Sequence, residues 1–257
     1  MALHAAADEP RKTEQSAAPA EMFGHCVEYF GQIKQTYQVV KTLSEKNGAS
    51  VLQLRHRTLH RDLILRHYPK PVCAYDILRE LRHPNLPEVY DSLHFSDGQF
   101  VLEEYIEGLT VAEVLETGRY TSRGAADILR KTCAAVAALH RCGILHLDIK
   151  PQNVMVTAAG EVKLIDLNAS KLSSSEQTQE TAVLGTIGYA AYEQFGISLC
   201  DERTDVFALG VLLNVLLTGE HPTRKCAGGR LGRIVQKCIQ TDPTARYPSA
   251  EKLMLAL

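Results

Sequence analysis

The chain reads as an α+β protein, with an antiparallel-sheet part early and a larger, mainly helical part after it. Three observations predict this. Short alternating segments gather in the first half: Tyr37-Gln38-Val39-Val40-Lys41, Ser50-Val51-Leu52-Gln53-Leu54, Asp62-Leu63-Ile64-Leu65-Arg66 and the run from Gln99 to Glu104. Ser122 to Cys142 then repeats Ala126, Leu129, Cys133, Val136 and Leu139 on one helical face. Finally, Asp205-Val206-Phe207-Ala208-Leu209-Gly210-Val211-Leu212-Leu213 is apolar on every side, the pattern of a helix buried all round.

Composition agrees with a soluble globular chain. There are 257 residues with a formal net charge of −2, 45% of them hydrophobic and 23% charged, enough to bury a sizeable core. The near-neutral balance gives no general pull toward nucleic acid or an anionic membrane, so neither is expected as a partner. Seven scattered cysteines with no CxxC pair argue against a zinc or dithiol motif and for a reduced, cytoplasmic compartment. No signal peptide is read at the N-terminus, and the most apolar run, Val206 to Leu217, is too short to span a bilayer.

In chain order, residues 1–21 are rich in Ala, Glu, Lys, Gln and Pro and read as a flexible tail. Residues 22–36 read as an extension with a helical pattern, in which Phe23, Val27, Phe30, Ile33 and Tyr37 recur while Gly24 and Gly31 weaken it. The strands from Tyr37 and from Ser50 flank a loop at Leu43–Ala49 that holds one glycine, Gly48. Cys73 to Arg82 has the pattern of an amphipathic helix, with Tyr75, Leu78 and Leu81 on one side, and His83-Pro84-Asn85-Leu86 breaks it. Thr110 is an N-cap for a helix over Val111–Leu115. Val154–Thr157 and Val162–Ile165 form a hairpin around Gly160. The hairpin brings Asn153 and Asp166 to the same end, beside Asp148 and Lys150 of the preceding loop.

These last residues carry a resemblance. His146-Leu147-Asp148-Ile149-Lys150-Pro151-Gln152-Asn153, followed by Asp166-Leu167-Asn168, resembles the catalytic loop and magnesium-binding Asp motif of protein kinases. Gly185–Glu193 resembles the family's GTxGYxAPE segment, with Tyr192 in place of Pro. The overall style is similar to compact bacterial, eukaryotic-like Ser/Thr kinases, and the resemblance runs from about Tyr37 onward. Read as ordinary loop residues instead, the polar side chains leave the hairpin, the second Asp and the later signals without a reason.

The resemblance implies a two-lobed protein-kinase-like domain over 37–257, with a small lobe of about 37–105 and a large lobe of about 106–257. It implies ATP and Mg as ligands and a protein as substrate or regulated partner. Asp148 would accept the proton of the acceptor hydroxyl, Lys150 would stand near the transferring phosphate, and Asn153 and Asp166 would hold magnesium. Carried over likewise, nucleotide contacts fall to Val51, Arg66, Glu104, Ile106 and Met155 together with Asn153 and Asp166. Lys150 two residues after the Asp resembles the Ser/Thr class. His146 is expected to be structural, Asp205 to anchor the catalytic loop, and Glu193 to pair with Arg246 as scaffold.

The small lobe departs from the family. Ser44, Lys46 and Ala49 stand where the phosphate loop has glycines. Arg66 replaces the strand lysine, Ala74 the helix glutamate, and Ile64 a small residue above the adenine. Glu103 falls at the gatekeeper position, where an acid is costly unless paired, and its expected partner is Arg66. Leu147 replaces the arginine that reads a phosphorylated activation loop, so no such switch is expected through this residue. In Asp166-Leu167-Asn168, Leu167 is expected to fill an apolar slot and Asn168 to accommodate a left-handed backbone. Ser173–Thr181 reads as a mobile activation loop, and the segment Gly219–Leu231 is short, so the helix that often follows in the family is expected to be reduced. The chain stops inside what reads as its last helix, as a piece of a longer protein would. The intact Asp148, Lys150, Asn153 and Asp166 favour an active Ser/Thr kinase; the small-lobe departures favour a pseudokinase scaffold as the alternative. Small-molecule kinase activity on the same fold is a third reading.

Overall fold

The computed structural model describes residues 27–96, 98–173, 186, 188–196 and 199–257. The tail expected over 1–21 and most of the expected activation loop lie outside the described residues.

The first part is built on a five-stranded antiparallel sheet. Helix α1 (Val27–Thr36) leads into β1 (Tyr37–Lys46), β2 (Ala49–His56) and β3 (Asp62–Tyr68); α2 (Ala74–Leu78), β4 (Val89–Phe95) and β5 (Gly98–Glu104) follow. The strand order is β1-β2-β3-β5-β4. Alternation assigns the faces. Leu52, Leu54, Leu65 and Phe100 point to one side, where Phe30 and Ile33 of α1 close a small core over them. Tyr68, Val89 and Val101 point to the other side and join the main core with Tyr75 and Leu78 of α2. The same side carries Ile64 and Arg66, which alternate with Leu65.

Two expectations are corrected here. Leu43–Ala49 is not an open loop: β1 and β2 stay paired to Lys46↔Ala49 and close in a two-residue turn, Asn47-Gly48, with φ of 52° and 78°. Two successive residues at positive φ match the right-handed twist of a hairpin, and Asn-Gly tolerates that geometry best. Helix α2 ends at Leu78 rather than Arg82. Beyond it the N–H groups of Glu80 and Leu81 bond back three residues, to Ile77 and Leu78, so the ladder tightens out of α geometry before the Pro84 break.

The second part opens with β6 (Gly108–Thr110) and α3 (Val111–Thr117), whose Thr110–Glu113 capping box satisfies its first N–H groups. Helix α4 (Ser122–Arg141) and β7 (Ile144–Leu145) follow, then the hairpin of β8 (Val154–Thr157) and β9 (Val162–Leu164), and β10 (Lys171–Leu172). Sheet β6-β8-β9 is antiparallel, and β10 pairs with β7. Helices α5 (Glu202–Thr218), α6 (Gly229–Cys238) and α7 (Ala250–Ala256) complete the chain. No helix separates α5 from α6, as the short Gly219–Leu231 segment suggested. Every residue of α5 from Thr204 to Leu216 is buried. Gly210 lets α6 approach: a Cβ there would lie 2.2 Å from Cys238 Cβ. No helix among the described residues is long and apolar enough to cross a membrane.

Candidate active site

The site is assembled on a loop whose backbone is held from below. Asp205, fully buried on α5, accepts the N–H of His146 (2.8 Å, Oδ2) and of Leu147 (2.8 Å, Oδ1), and contacts His140 Nε2 at 2.8 Å. Burial opposes the Asp205 charge, but the hydrogen bond and charge of His140, with the His146 N–H, hold the carboxyl below its ordinary range. Leu147 is left-handed, with φ of 62°. A bulky residue keeps that geometry only where its surroundings fix it; here its N–H is held by Asp205, its side chain is buried, and its carbonyl accepts from Gln194 Nε2 at 2.8 Å. His146 is buried and lies beneath the loop. Its Nδ1 accepts the Asp148 N–H (3.3 Å) and its Nε2 faces the Ile165 carbonyl (3.3 Å). Burial pushes its pKa down, and the neutral ring protonated on Nε2 satisfies both contacts.

Above this base four polar side chains interlock. Asp148 Oδ2 accepts from Lys150 Nζ (2.6 Å) and Asn153 Nδ2 (3.1 Å); Asp148 Oδ1 accepts from Thr186 Oγ1 (2.7 Å). Lys150 Nζ also donates to Thr186 Oγ1 at 2.7 Å. The Asn153 amide nitrogen donates a second bond to the Asp148 carbonyl (2.8 Å), which leaves its carbonyl oxygen as the end of the side chain available to a cation. The hairpin registers Val154↔Leu164, and the Ile165 N–H bonds the Asn153 carbonyl at 2.8 Å. Asp166 thereby comes to the same end of the ladder as Asn153.

Asp166 itself, not Asn168, is the left-handed residue of its motif, with φ of 65°. Its Oδ1 accepts the Asn168 N–H at 3.3 Å, a local turn that Asp supports in this conformation. Leu167 is buried in the main core, in the apolar slot expected for it. Its N–H points at Tyr75 Oη (3.4 Å), and Tyr75 Oη lies 2.9 Å from Tyr68 Oη.

The sheet supplies the roof. Arg66 Nε donates to Glu103 Oε1 at 2.6 Å, the pairing expected from the sequence, and both residues are buried. Arg66 Nη1 stands 3.5 Å from Asp166 Oδ1. Burial is the largest influence on Arg66 and opposes the guanidinium charge, but Glu103, with Tyr75, Tyr68 and Asp166 around it, together holds Arg66 well above its ordinary pKa; burial in turn pushes the Glu103 carboxyl up against the opposing pull of Arg66. Ala74 is buried and apolar, and Ile64 and Ile106 are buried nearby in sequence to these strands. Val51, paired with Arg66, and Met155, on β8, are half-buried. The Glu104 side chain is turned to Lys163 Nζ (2.9 Å) and the Glu88 N–H (3.1 Å).

Three participants escaped the sequence reading. Lys163 could have been found, because it alternates with the buried Val162 and Leu164 and so points away from the core. Gln194, next to Glu193, and the Tyr68–Tyr75 hydroxyl pair had no local signal. The expected Glu193–Arg246 pair is present at 2.6 and 3.1 Å.

A five-stranded sheet above a helical body, with an Asp-Lys-Asn loop and a second Asp brought to one end of the hairpin, makes a two-lobed α+β fold. Residues 72–253 match the protein kinase domain family, and the chain belongs to it. It is similar to the probable serine/threonine-protein kinase PknB of Lactococcus lactis, 29% identical over 194 residues, covering 75% of this chain and 30% of that protein. It is also similar to the serine/threonine-protein kinase PrkC of Bacillus subtilis (35% over 144 residues, 55% of this chain and 22% of the relative). PknB of Mycobacterium tuberculosis is 29% identical over 214 residues, 74% of this chain and 33% of the relative. The chain thus spans a third or less of the length of these three relatives.

Proposed function

We propose that this domain is a protein serine/threonine kinase that transfers the γ-phosphoryl group of ATP to a Ser or Thr hydroxyl. The observation that carries the reading is the interlocked Asp148–Lys150–Asn153–Thr186 cluster, set at the same end of the hairpin as Asp166. Little covalent chemistry is asked of a protein in phosphoryl transfer, so positioning and charge decide the rate. Asp148 takes the acceptor proton as the oxygen attacks. Lys150 is held within reach of the developing charge by Asp148 and Thr186.

The donor set suits magnesium: Asn153 and Asp166 offer oxygens only, and a small hard cation that keeps several waters needs few protein ligands. When bound, Mg held by Asn153 and Asp166 would neutralise phosphate charge. The adenine falls between Val51 and Ile64 of the sheet and Met155 of β8, with Glu104 and Ile106 contributing backbone groups, since the Glu104 carboxylate is already engaged by Lys163. The domain covers 37–257, divided near 105, and its substrate is a protein.

The test is phosphate transfer from ATP with Mg, read by mass analysis of the chain and of an added generic protein substrate. Asp148→Asn keeps the shape but removes the base, and is expected to lower the rate about a hundredfold or more. Equal phosphate on parent and variant, or none on either at millimolar ATP, would overturn the reading and leave a pseudokinase scaffold.

A further inference from the structure

We infer that Glu103 is the positioning residue for the phosphate-side cation Arg66, so that this kinase carries its charge couple wholly within the sheet and does not need α2 to complete it. The inference rests on the kinase reading above.

A guanidinium as buried as Arg66 must be neutralised by something fixed. Helix α2 offers nothing for the purpose. Its residue at the relevant place is Ala74, and its one carboxylate, Asp76, is turned to β4, where Oδ1 accepts from Ser92 Oγ (2.6 Å) and contacts His94 Nε2 (2.9 Å). The sheet offers Glu103. Strand β3 registers on β5 with Ile64↔Glu103 and Arg66↔Val101, so Arg66 and Glu103 project from one face as diagonal neighbours. Nε meets Oε1 at 2.6 Å, with the two side chains 8% and 4% exposed. Both strands are interior to the sheet, with β2 and β4 outside them, so the backbone under neither residue can shift without breaking ladder bonds on both sides.

The fork of the guanidinium gives the couple its second function. Nε is committed to Glu103, and Nη1 reaches toward Asp166 at 3.5 Å. Glu103 therefore sets the plane of the guanidinium that faces the metal-binding segment. Arginine suits this bridging better than lysine, because one planar group serves two carboxylates at a fixed angle. The contact between α2 and the metal-binding segment is neutral: Tyr75 Oη takes the Leu167 N–H and meets Tyr68 Oη.

The test compares Mg·ATP and adenosine binding by calorimetry in the full chain, for the parent, Glu103→Gln, Glu103→Asp and Asp76→Asn. Adenosine lacks the phosphates that Arg66 would serve. Glu103→Gln is expected to weaken Mg·ATP by about tenfold or more while adenosine changes by less than about threefold. Glu103→Asp retains the charge and recovers part of the loss, which keeps the test open if the amide variant folds poorly. Asp76→Asn is expected to bind both ligands as the parent does. Equal losses for Mg·ATP and adenosine, or Glu103→Gln binding Mg·ATP as tightly as the parent, would overturn the inference and leave the kinase reading standing. A parent that binds adenosine but gains nothing from Mg and phosphates, or binds neither ligand, overturns the kinase reading and this inference with it.

Discussion

Asp205 shows how much one carboxylate can hold. Its two oxygens are shared among two backbone N–H groups and the His140 ring, all buried, and the left-handed Leu147 hangs on one of those bonds. The His140 contact makes this hub sensitive to pH. Burial, the largest single influence, works against a charged ring, but the hydrogen bond and charge of Asp205, with Glu202 beyond it, raise the His140 pKa above its ordinary 6.5. A histidine whose folded pKa is raised binds its proton better in the native state. Its contribution is complete below about pH 6.5 and fades as pH climbs through the folded value. His146, packed on the same carboxylate, is shifted down and works in the opposite sense, losing stability as pH falls, so the whole protein's profile would blur the two. The difference between parent and His140→Gln isolates the first. Urea denaturation should show the parent's advantage larger at about pH 5.5 than at about pH 8.5; an advantage that stays constant or grows with pH would contradict the charged pair.

Among the elements, the β1–β2 hairpin differs most from what the family resemblance suggested. Its pairing continues to Lys46↔Ala49 and closes in Asn47-Gly48, although two bulges, at Val39/Lys41 and Thr42/Ser44, interrupt the register within the exposed edge strand. Gly48 has φ of 78°, and a Cβ there would find ordinary contact, 3.6 Å from Pro69. The cost of Gly48→Ala is therefore conformational, roughly 1–2 kcal/mol, measurable as a lower urea midpoint with an unchanged slope. A stability equal to the parent's would mean that the turn is not type I′ in solution. The sequence reading took the stretch for a loop because alternation fades in β1: with nearly every residue exposed, no apolar period marks it. The same physics explains the other gaps. Helix α6 hides behind Gly229, Gly232 and its cations although Ile234, Val235 and Cys238 are buried. By contrast α4 and α5 were legible because long buried faces write themselves into composition. The site divides likewise. Asp148, Lys150 and Asn153 sit in one contiguous motif, and Arg66–Glu103 follows once strand register is assumed. The Tyr75–Leu167 contact joins a side chain to a backbone N–H across the two lobes and leaves no pattern in either segment.

At the scale of the whole molecule, the decisive joint lies in the large lobe, away from Arg66 and Asp166. Arg246, just beyond the turn at Pro243–Ala245, reaches into the body and binds Glu193 through both Nη atoms, at 2.6 and 3.1 Å. Its remaining donors meet the carbonyls of Arg203 (2.9 Å), Gln240 (2.8 Å) and Thr241 (3.2 Å), and its guanidinium carbon lies 5.0 Å from the Phe207 ring centroid. Glu193 accepts a further bond from Thr204 Oγ1 at 2.9 Å. Burial works against the Glu193 charge, but the Arg246 bonds hold its carboxyl below the ordinary value. One side chain thus ties the segment after Thr186, the start of α5 and the approach to α7. Since every polar atom is partnered in place, removing one member strands the other: Glu193→Gln or Arg246→Ala should each cost about 3–5 kcal/mol. The double variant should cost less than the sum of the two, by about 1–3 kcal/mol. The joint also reaches the site, because Gln194, the neighbour of Glu193, holds the Leu147 carbonyl. Glu193→Gln should therefore slow phosphate transfer at a temperature where the variant is still fully folded, with little change in ATP affinity. Additive single losses would show that the two residues do not act as a pair, and an unaltered rate in folded Glu193→Gln would confine the joint to stability alone.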